Sequence, residues 1–315
     1  MKYFLGVDGG QSSTTAVIGD ELGRVIGIGR GGPSNHVGAA EGRAKFVNAV
    51  EQCVTAACSQ AEVNPANTRF ASACLGFSGG PADKESIVNE ILSSGRTLVT
   101  HDGLIALSGA TTGQPGLITI AGTGSFAFGR NAAGEMARAG GWGYVFGDEG
   151  GGFFITRQAL RAALRLEESW GPPTILRSMF LDATGAPDIN TLLHRFYTTE
   201  FSRPRIAEFS RVVNEAATSG DEVARAILED AAQQLAIIAE AVRQQLFEAG
   251  EDTLVAYVGG VFRSKILLER FRALLEAAGN RVIAPVYGPA AGALLEAYRA
   301  AGIACTLSNV PEEKS

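Results

Sequence analysis

Two short segments concentrate glycine with hydroxyl residues where a run of apolar residues stops. Gly9-Gly10-Gln11-Ser12 follows Tyr3–Val7 and Asp8, and Gly122-Thr123-Gly124-Ser125 follows Leu117–Ala121. Each reads as a turn between two strands. Successive backbone N–H groups in such turns form anion-binding nests, and the hydroxyls add donors. A pair of them, one from each half of the chain, suits a triphosphate. Ordinary hairpin turns are the plainer reading of either one alone.

Carboxylates stand near these turns. Asp8 closes the first strand, and Asp102 closes another and opens a helix. Phosphoryl transfer rests mostly on positioning and charge stabilisation, so one aimed carboxylate plus a divalent cation is a sufficient set. The plain alternatives are a turn carboxylate for Asp8 and a helix N-cap for Asp102. A third group, Gly140 to Gly152, sets Trp142, Asp148 and Glu149 among glycines, and Pro33-Ser34-Asn35-His36 forms a polar turn. Asn and Asp can satisfy adjacent hydroxyls of a polyol, and a Trp can wall it. Trp142 could equally be core, Glu149 could cap the next helix, and His36 reads as a flanking residue.

Other phosphate devices do not fit. The chain has no GxxxxGK[ST] loop. A G-x-G-x-x-G at Gly27, Gly29 and Gly32 is followed by Pro33-Ser34-Asn35 rather than a helix. Gly122-x-Gly124-x-x-Ala127 is followed by a strand. A dinucleotide site needs the glycines to open a helix facing the pyrophosphate, so NAD and FAD are set aside. Glycine supplies 40 of 315 residues, well above the usual share of about 7%. Its clusters suggest loops surrounding a ligand.

The elements that must carry these groups alternate. Strands are expected over 3–7, 14–19, 25–29, 71–77, 97–100, 117–121, 126–130, 254–258 and 282–284. Helices are expected over 38–61, 83–94, 102–110, 264–278 and 289–301. A long helical stretch covers 153–249, broken at Pro172-Pro173 and Ser219-Gly220. Each half opens with strand, Gly-Ser/Thr turn and strand, and later adds helices. This is a duplicated α/β arrangement, with helices covering mixed or parallel sheets.

The chain carries net charge -6 and 46% apolar residues. The acidic balance does not forbid an anionic ligand, but any phosphate must be held locally, by backbone N–H groups, a few cations or a metal. No basic stripe suggests a nucleic acid. Residues 103–129 are uncharged but rich in Gly, Thr and Ser and interrupted by Pro115, so no membrane span is expected. Asp8 interrupts the first apolar run too early for a signal peptide. Cys53, Cys58, Cys74 and Cys305 have no paired spacing and read as reduced core thiols of a cytoplasmic protein.

Taken in order, these motifs resemble the actin, sugar-kinase and heat-shock ATPase superfamily. Gly6-Val7-Asp8-Gly9-Gly10-Gln11-Ser12-Ser13-Thr14 resembles its first phosphate motif, Ala121-Gly122-Thr123-Gly124-Ser125 its second, and Val258-Gly259-Gly260-Val261 its adenosine motif. Gly140 to Gly152, read GGWGYVFGDEGGG, is similar to the signature of the N-acetylglucosamine kinase branch, and Pro33-Ser34-Asn35-His36 to that branch's sugar turn. The likeness runs from about residue 4 to 298.

It implies a duplicated actin-like ATPase fold of the ribonuclease H-like type, two-lobed with a central nucleotide and sugar cleft. The lobes would be 1–113 and 114–288, with the last helix, about 289–304, packing back on the first. It implies ATP and Mg²⁺, with Asp8 holding the metal and Gly9, Gly10, Gln11, Ser12, Gly122, Thr123, Gly124, Gly259 and Gly260 holding the nucleotide. Asn35, Asp102, Gly141, Trp142, Gly143 and Asp148 would hold an amino sugar, N-acetylglucosamine foremost, and Asp102 would take the proton of its 6-hydroxyl. A homodimer is common among such relatives. The first loop departs from the usual three glycines and threonine, and the block ends in three glycines where a Gly-Ser pair is common. Alternatives are a kinase for glucosamine, N-acetylmuramic acid or another hexose. A further one, of another class, is an ATPase activator of an electron-transfer enzyme. Such activators bridge an iron–sulfur cluster with cysteines in Gly-rich loops, where none of these cysteines falls.

Overall fold

A computed structural model describes residues 1–34, 40–79, 82–198 and 200–311. The chain divides into two compact units, Met1–Pro115 with Ala284–Ser315, and Gly116–Ile283.

The first unit is built on a sheet of β1 (Phe4–Gly9), β2 (Thr14–Gly19), β3 (Val25–Gly31), β4 (Ser72–Phe77) and β5 (Thr97–His101). Their spatial order is β3-β2-β1-β4-β5. β1 to β3 are antiparallel neighbours, while β4 and β5 run parallel to β1. Burial of all six residues of β4 follows from helices on both faces, as parallel strands require.

Alternation along β1 sorts its side chains. Leu5 and Val7 join the core beneath α1 (Ala40–Gln60), whereas Phe4 joins the core beneath α11 (Pro289–Ala300). The chain passes to this unit at Ala284, ahead of 288, because the N–H groups of Val286 and Tyr287 bond the carbonyls of Ala110 and Gly109 at 3.2 and 3.0 Å.

Many of the glycines prove to be packing devices rather than ligand loops. On β3, a Cβ at Gly27, Gly29 or Gly31 would stand 1.9–2.2 Å from the carbonyl oxygens of Ala57, Cys53 and Ala49. At alternate positions the stripe faces one side, and it lets α1 lie directly on the strand. Two of the three glycines of the G-x-G-x-x-G there, Gly27 and Gly29, belong to this stripe, whereas a Cβ on Gly32 would meet nothing within 4 Å. Gly6 does the same for α11, whose Leu294 nitrogen would be 2.2 Å from a Cβ.

The second unit repeats the plan. Its sheet has the order β10-β9-β6-β7-β8, made of β6 (Gly116–Ala121), β7 (Ser125–Arg130), β8 (Met136–Gly140), β9 (Thr253–Val258) and β10 (Asn280–Ile283). Again the first strand is central, the next two follow it on one side as successive antiparallel neighbours, and the last two are parallel to it on the other.

β8, Met-Ala-Arg-Ala-Gly, is absent from the sequence expectation. It lacks β-branched residues and forms an edge strand through its pairing with β7. The long helical stretch divides more finely than two breaks allow, into α4 (Gly152–Glu167), α5 (Leu176–Thr184), α6 (Ile189–Phe196), α7 (Arg203–Glu208), α8 (Ser210–Thr218) and α9 (Glu222–Leu246). Gly185 in the left-handed conformation ends α5, and Ser202 with Pro204 restarts the chain at α7. α10 (Lys265–Ala277) completes the cover, with α2 (Glu85–Ile91) and α3 (Asp102–Ala110) in the first unit.

Candidate active site

In the first unit the expected residues meet at the carboxyl ends of the parallel strands. Asp8 on β1 aligns with Gly76 on β4, and Gly76 with Thr100 on β5. Two strand spacings put Asp8 roughly 10 Å from Thr100, and Asp102 lies just beyond. The loop after β1 is closed by the Gly10 N–H on the Ser13 carbonyl, 2.9 Å. The turn Gly32-Pro33-Ser34 is seated on it. Thr14 Oγ1 donates to the Gly32 carbonyl at 2.8 Å, and the Ser34 N–H to the Gly10 carbonyl at 3.2 Å. Gln11 and Ser12 are exposed at its tip. Ser34 Oγ is buried without a partner and sits 2.5 Å from where a Gly9 Cβ would be. Asn35 and His36 lie outside the described residues.

Asp102 is the first residue of α3, and the cap position belongs to His101. The N-cap reading of Asp102 is therefore corrected. Its carboxylate is held from two sides. Oδ1 accepts the Gly103 N–H at 2.9 Å and Oδ2 accepts the Ser78 hydroxyl at 2.9 Å. Ser78 follows β4, and its own N–H donates to the Gly9 carbonyl at 3.1 Å. One residue thus joins the ends of β1 and β4 to the carboxylate beyond β5. In the sequence Ser78 stands in the run Gly-Phe-Ser-Gly-Gly, and no spacing there links it to Asp102.

In the second unit, Gly122-Thr123-Gly124 joins β6 to β7, and the amino end of α4 abuts it. The N–H groups of Gly152 and Phe153 donate to the carbonyls of Gly122 and Thr123 at 2.8 and 3.1 Å. The first N–H groups of a helix lack intrahelical partners, so the loop satisfies them. In a planar trans peptide the carbonyl and the next N–H point opposite ways, and no peptide bond among the described residues is cis. Holding those two carbonyls against α4 turns the N–H groups of Thr123 and Gly124 away from it. Among the described residues neither has a partner. Two adjacent outward N–H groups form an anion nest.

The glycine block packs beneath this nest. Asp148 is 5% exposed, has φ +63°, and pairs with Arg203 at the start of α7. A Cβ on Gly124 would meet Asp148 Oδ2 at 2.4 Å and Arg203 Nη2 at 2.9 Å, so only glycine allows the carboxylate this close. The Arg203 guanidinium also lies 5.2 Å from the Tyr144 ring centre. No sequence signal tied Arg203 to Asp148, because α4 to α6 lie between them.

Two plain readings fail here. Gly151, not Glu149, caps α4, and the Glu149 carbonyl accepts the Ser125 hydroxyl at 2.5 Å. Trp142 is 77% exposed rather than core, between Gly141 and Gly143, both at positive φ.

Gly259 ends β9 with φ +118°, and a Cβ there would be 2.2 Å from the Ala121 carbonyl. The chain thereby passes hard against the base of the nest. Gly260 then opens a 3-10 turn to Arg263. A cavity of about 360 Å³ follows, lined in part by Gly260, Arg263 and Ser264 and by Ser210, Arg211 and Asn214 of α8.

Among the described residues no group of three or more His, Cys, Asp or Glu could hold a metal ion, and no helix is long and apolar enough to cross a membrane. Cys53 and Cys58 are buried in α1 and Cys74 in β4.

Two sheets of this plan with these turns define an actin-like ATPase fold of the sugar-kinase type. A solved candidate N-acetylglucosamine kinase from Chromobacterium violaceum superposes with a TM-score of 0.74 at 28% identity, covering 94% of this chain and 98% of that one. Residues 5–297 match the BadF/BadG/BcrA/BcrD ATPase family, and the chain belongs to it. It is 32% identical over 294 residues to the N-acetylmuramic acid/N-acetylglucosamine kinase of Clostridium acetobutylicum, covering 87% of this chain and 90% of that protein. It is 29% identical to the N-acetyl-D-glucosamine kinase of Dictyostelium discoideum, over 85% of this chain and 88% of that protein.

Proposed function

We propose that this chain is an ATP-dependent kinase of the 6-hydroxyl of an amino sugar, N-acetylglucosamine first, acting in the cytoplasm. The carrying observation is Asp102, whose two oxygens are fixed by Ser78 and Gly103 at the carboxyl end of the first sheet. Each oxygen keeps a lone pair, so the carboxylate can accept a hydroxyl proton without turning.

The remaining roles follow from the chemistry of each group. In the second unit the outward N–H groups of Thr123 and Gly124 would hold phosphate oxygens; in the first unit Gly9, Gly10, Gln11 and Ser12 are the corresponding nucleotide candidates. The cavity beyond Gly259 and Gly260 has the size and mixed polarity for adenosine. Asp8, a carboxylate at a strand end beside a phosphate-type loop, fits Mg²⁺, which keeps much of its water shell. When bound, that ion neutralises charge on the transferring phosphoryl group. Asn35, Gly141, Trp142, Gly143 and Asp148 would recognise the sugar. Both relatives above carry N-acetylglucosamine in their names.

The test is ADP release over a panel of N-acetylglucosamine, N-acetylmuramic acid, glucosamine, N-acetylmannosamine and glucose, with Asp102→Asn beside the unaltered protein. Turnover that depends on an amino sugar and falls at least about a hundredfold in Asp102→Asn supports the reading. ATP hydrolysis indifferent to every sugar would sink it and favour the activator class.

A further inference from the structure

The Arg203–Asp148 pair presents an electrostatic problem. Asp148 is almost fully buried, and its Oδ2 fills the space a Gly124 side chain would take. A carboxylate so close to a loop that receives phosphates would repel them strongly, because its burial weakens solvent screening. One cation lies at the same spot. Arg203 Nη2 bonds that oxygen and would itself stand 2.9 Å from a Gly124 Cβ.

The guanidinium is fixed from several directions. It lies over the Tyr144 ring at 5.2 Å, and the residue is the first of α7, after the Ser202 cap. Arg203 Nε is buried without a hydrogen-bond partner. A well-placed arginine rarely leaves a buried donor unused. The cation is therefore only partly engaged by Asp148 and keeps donor capacity beside the nest. Both segments that frame the loop, 142–148 and α7, meet at this residue.

We propose that Arg203 is a positioning residue that neutralises Asp148 and so lets the Gly122–Gly124 loop accept a polyanionic nucleotide. It thereby couples the block holding Asp148 to the phosphate loop. A planar, always charged fork can bond the carboxylate and lie on an aromatic ring together, which a lysine does less well. The inference rests on the phosphate-loop reading of Gly122–Gly124.

The experiment is calorimetric titration of the full-length protein with Mg·ADP in the absence of sugar, for the unaltered chain, Arg203→Ala, Arg203→Lys, Asp148→Asn and the double variant Arg203→Ala/Asp148→Asn. Thermal melting monitors folding. Arg203→Ala is expected to weaken nucleotide binding about tenfold or more, from an unpaired charge near the phosphates. Arg203→Lys should lose less. The decisive arm is the double variant. Removing the stranded negative charge should return affinity to within about threefold of the unaltered protein, a non-additivity of the kind coupled charges show.

A merely structural Arg203 would give no such rescue, because Asp148→Asn would add its own damage. Arg203→Ala binding as tightly as the unaltered chain, or a double variant no better than the single one, overturns the proposal. Should Arg203→Ala not fold, the folded double variant with near-normal affinity still supports it, and one with affinity as poor as that of Arg203→Lys or worse overturns it. If the unaltered chain binds no nucleotide, the kinase reading itself has failed, and this inference with it.

Discussion

Ser78 Oγ donates to Asp102 Oδ2 at 2.9 Å, from the end of β4 to the start of α3. With the Gly103 N–H on Oδ1, it fixes the plane of the carboxylate. Removing that hydroxyl should leave Asp102 present but free to rotate. Ser78→Ala is expected to lower kcat about tenfold, the worth of one hydrogen bond, with the sugar KM little changed. Ser78→Thr should recover most of the loss. Steady-state kinetics of both variants checks this, and an unchanged kcat in Ser78→Ala would remove Ser78 from the site.

Two glycines of the proposed nucleotide site should respond differently to alanine. At Gly259 the backbone has φ +118° and a Cβ would meet the Ala121 carbonyl at 2.2 Å, whereas a Cβ on Gly122 meets nothing within 4 Å. Gly259→Ala is expected to cost about 3 kcal/mol from strain and overlap. Gly122→Ala should melt near the unaltered protein. Chemical denaturation of the two variants makes the comparison.

Stability should fall on acidification through two carboxylates, the cap of α9, Asp221, and Asp20 in the turn after β2. Burial alone would raise the carboxyl of Asp221. The N–H groups of Ala224 and Ile175, with the Thr174 hydroxyl, outweigh it and hold the group below its ordinary range. Asp20 is likewise held down, against burial, by the N–H groups of Leu22 and Arg24 and by the Arg24 guanidinium. A carboxyl depressed in the folded state contributes stability that is present above its unfolded pKa, about 4, and is lost as pH falls through its folded value. Urea midpoints should therefore drop below about pH 4. Asp221→Asn should be less stable at neutral pH and show a shallower acid decline.

The thiols should be quiet. Burial pushes Cys53 up to about 12 and also raises Cys58 and Cys305. Since the thiolate is the reactive form, an aromatic disulfide reagent at pH 8 should label the native protein slowly, starting with half-exposed Cys305, and label all four cysteines once it is unfolded. Rapid labelling of Cys53 in the native state would contradict its burial.

The sequence by itself determined the elements and the chemistry they display. β2 over Thr14–Gly19 and α3 over Asp102–Ala110 were legible because apolar runs end in Gly, Ser and Asp, which favour turns and caps whatever surrounds them. The two loops were legible for the same reason, since a nest depends on local backbone and on residue types that tolerate it. What only the tertiary structure decided involves partners distant in the chain. β8 exists because β7 lies beside it. Gly27 and Gly29 of β3 look like part of a nucleotide fingerprint but, with Gly31, serve as a bed for α1, a contact invisible until the helix returns. Trp142 reads as core by type and is exposed because its flanking glycines hold it in a loop. Ser78 reaches Asp102, and Arg203 reaches Asp148, only after strands and helices separated in sequence have packed. Local propensity acts within a few residues, whereas hydrogen bonds and charge pairs depend on proximity in space, and that proximity is set by the packing of the whole unit.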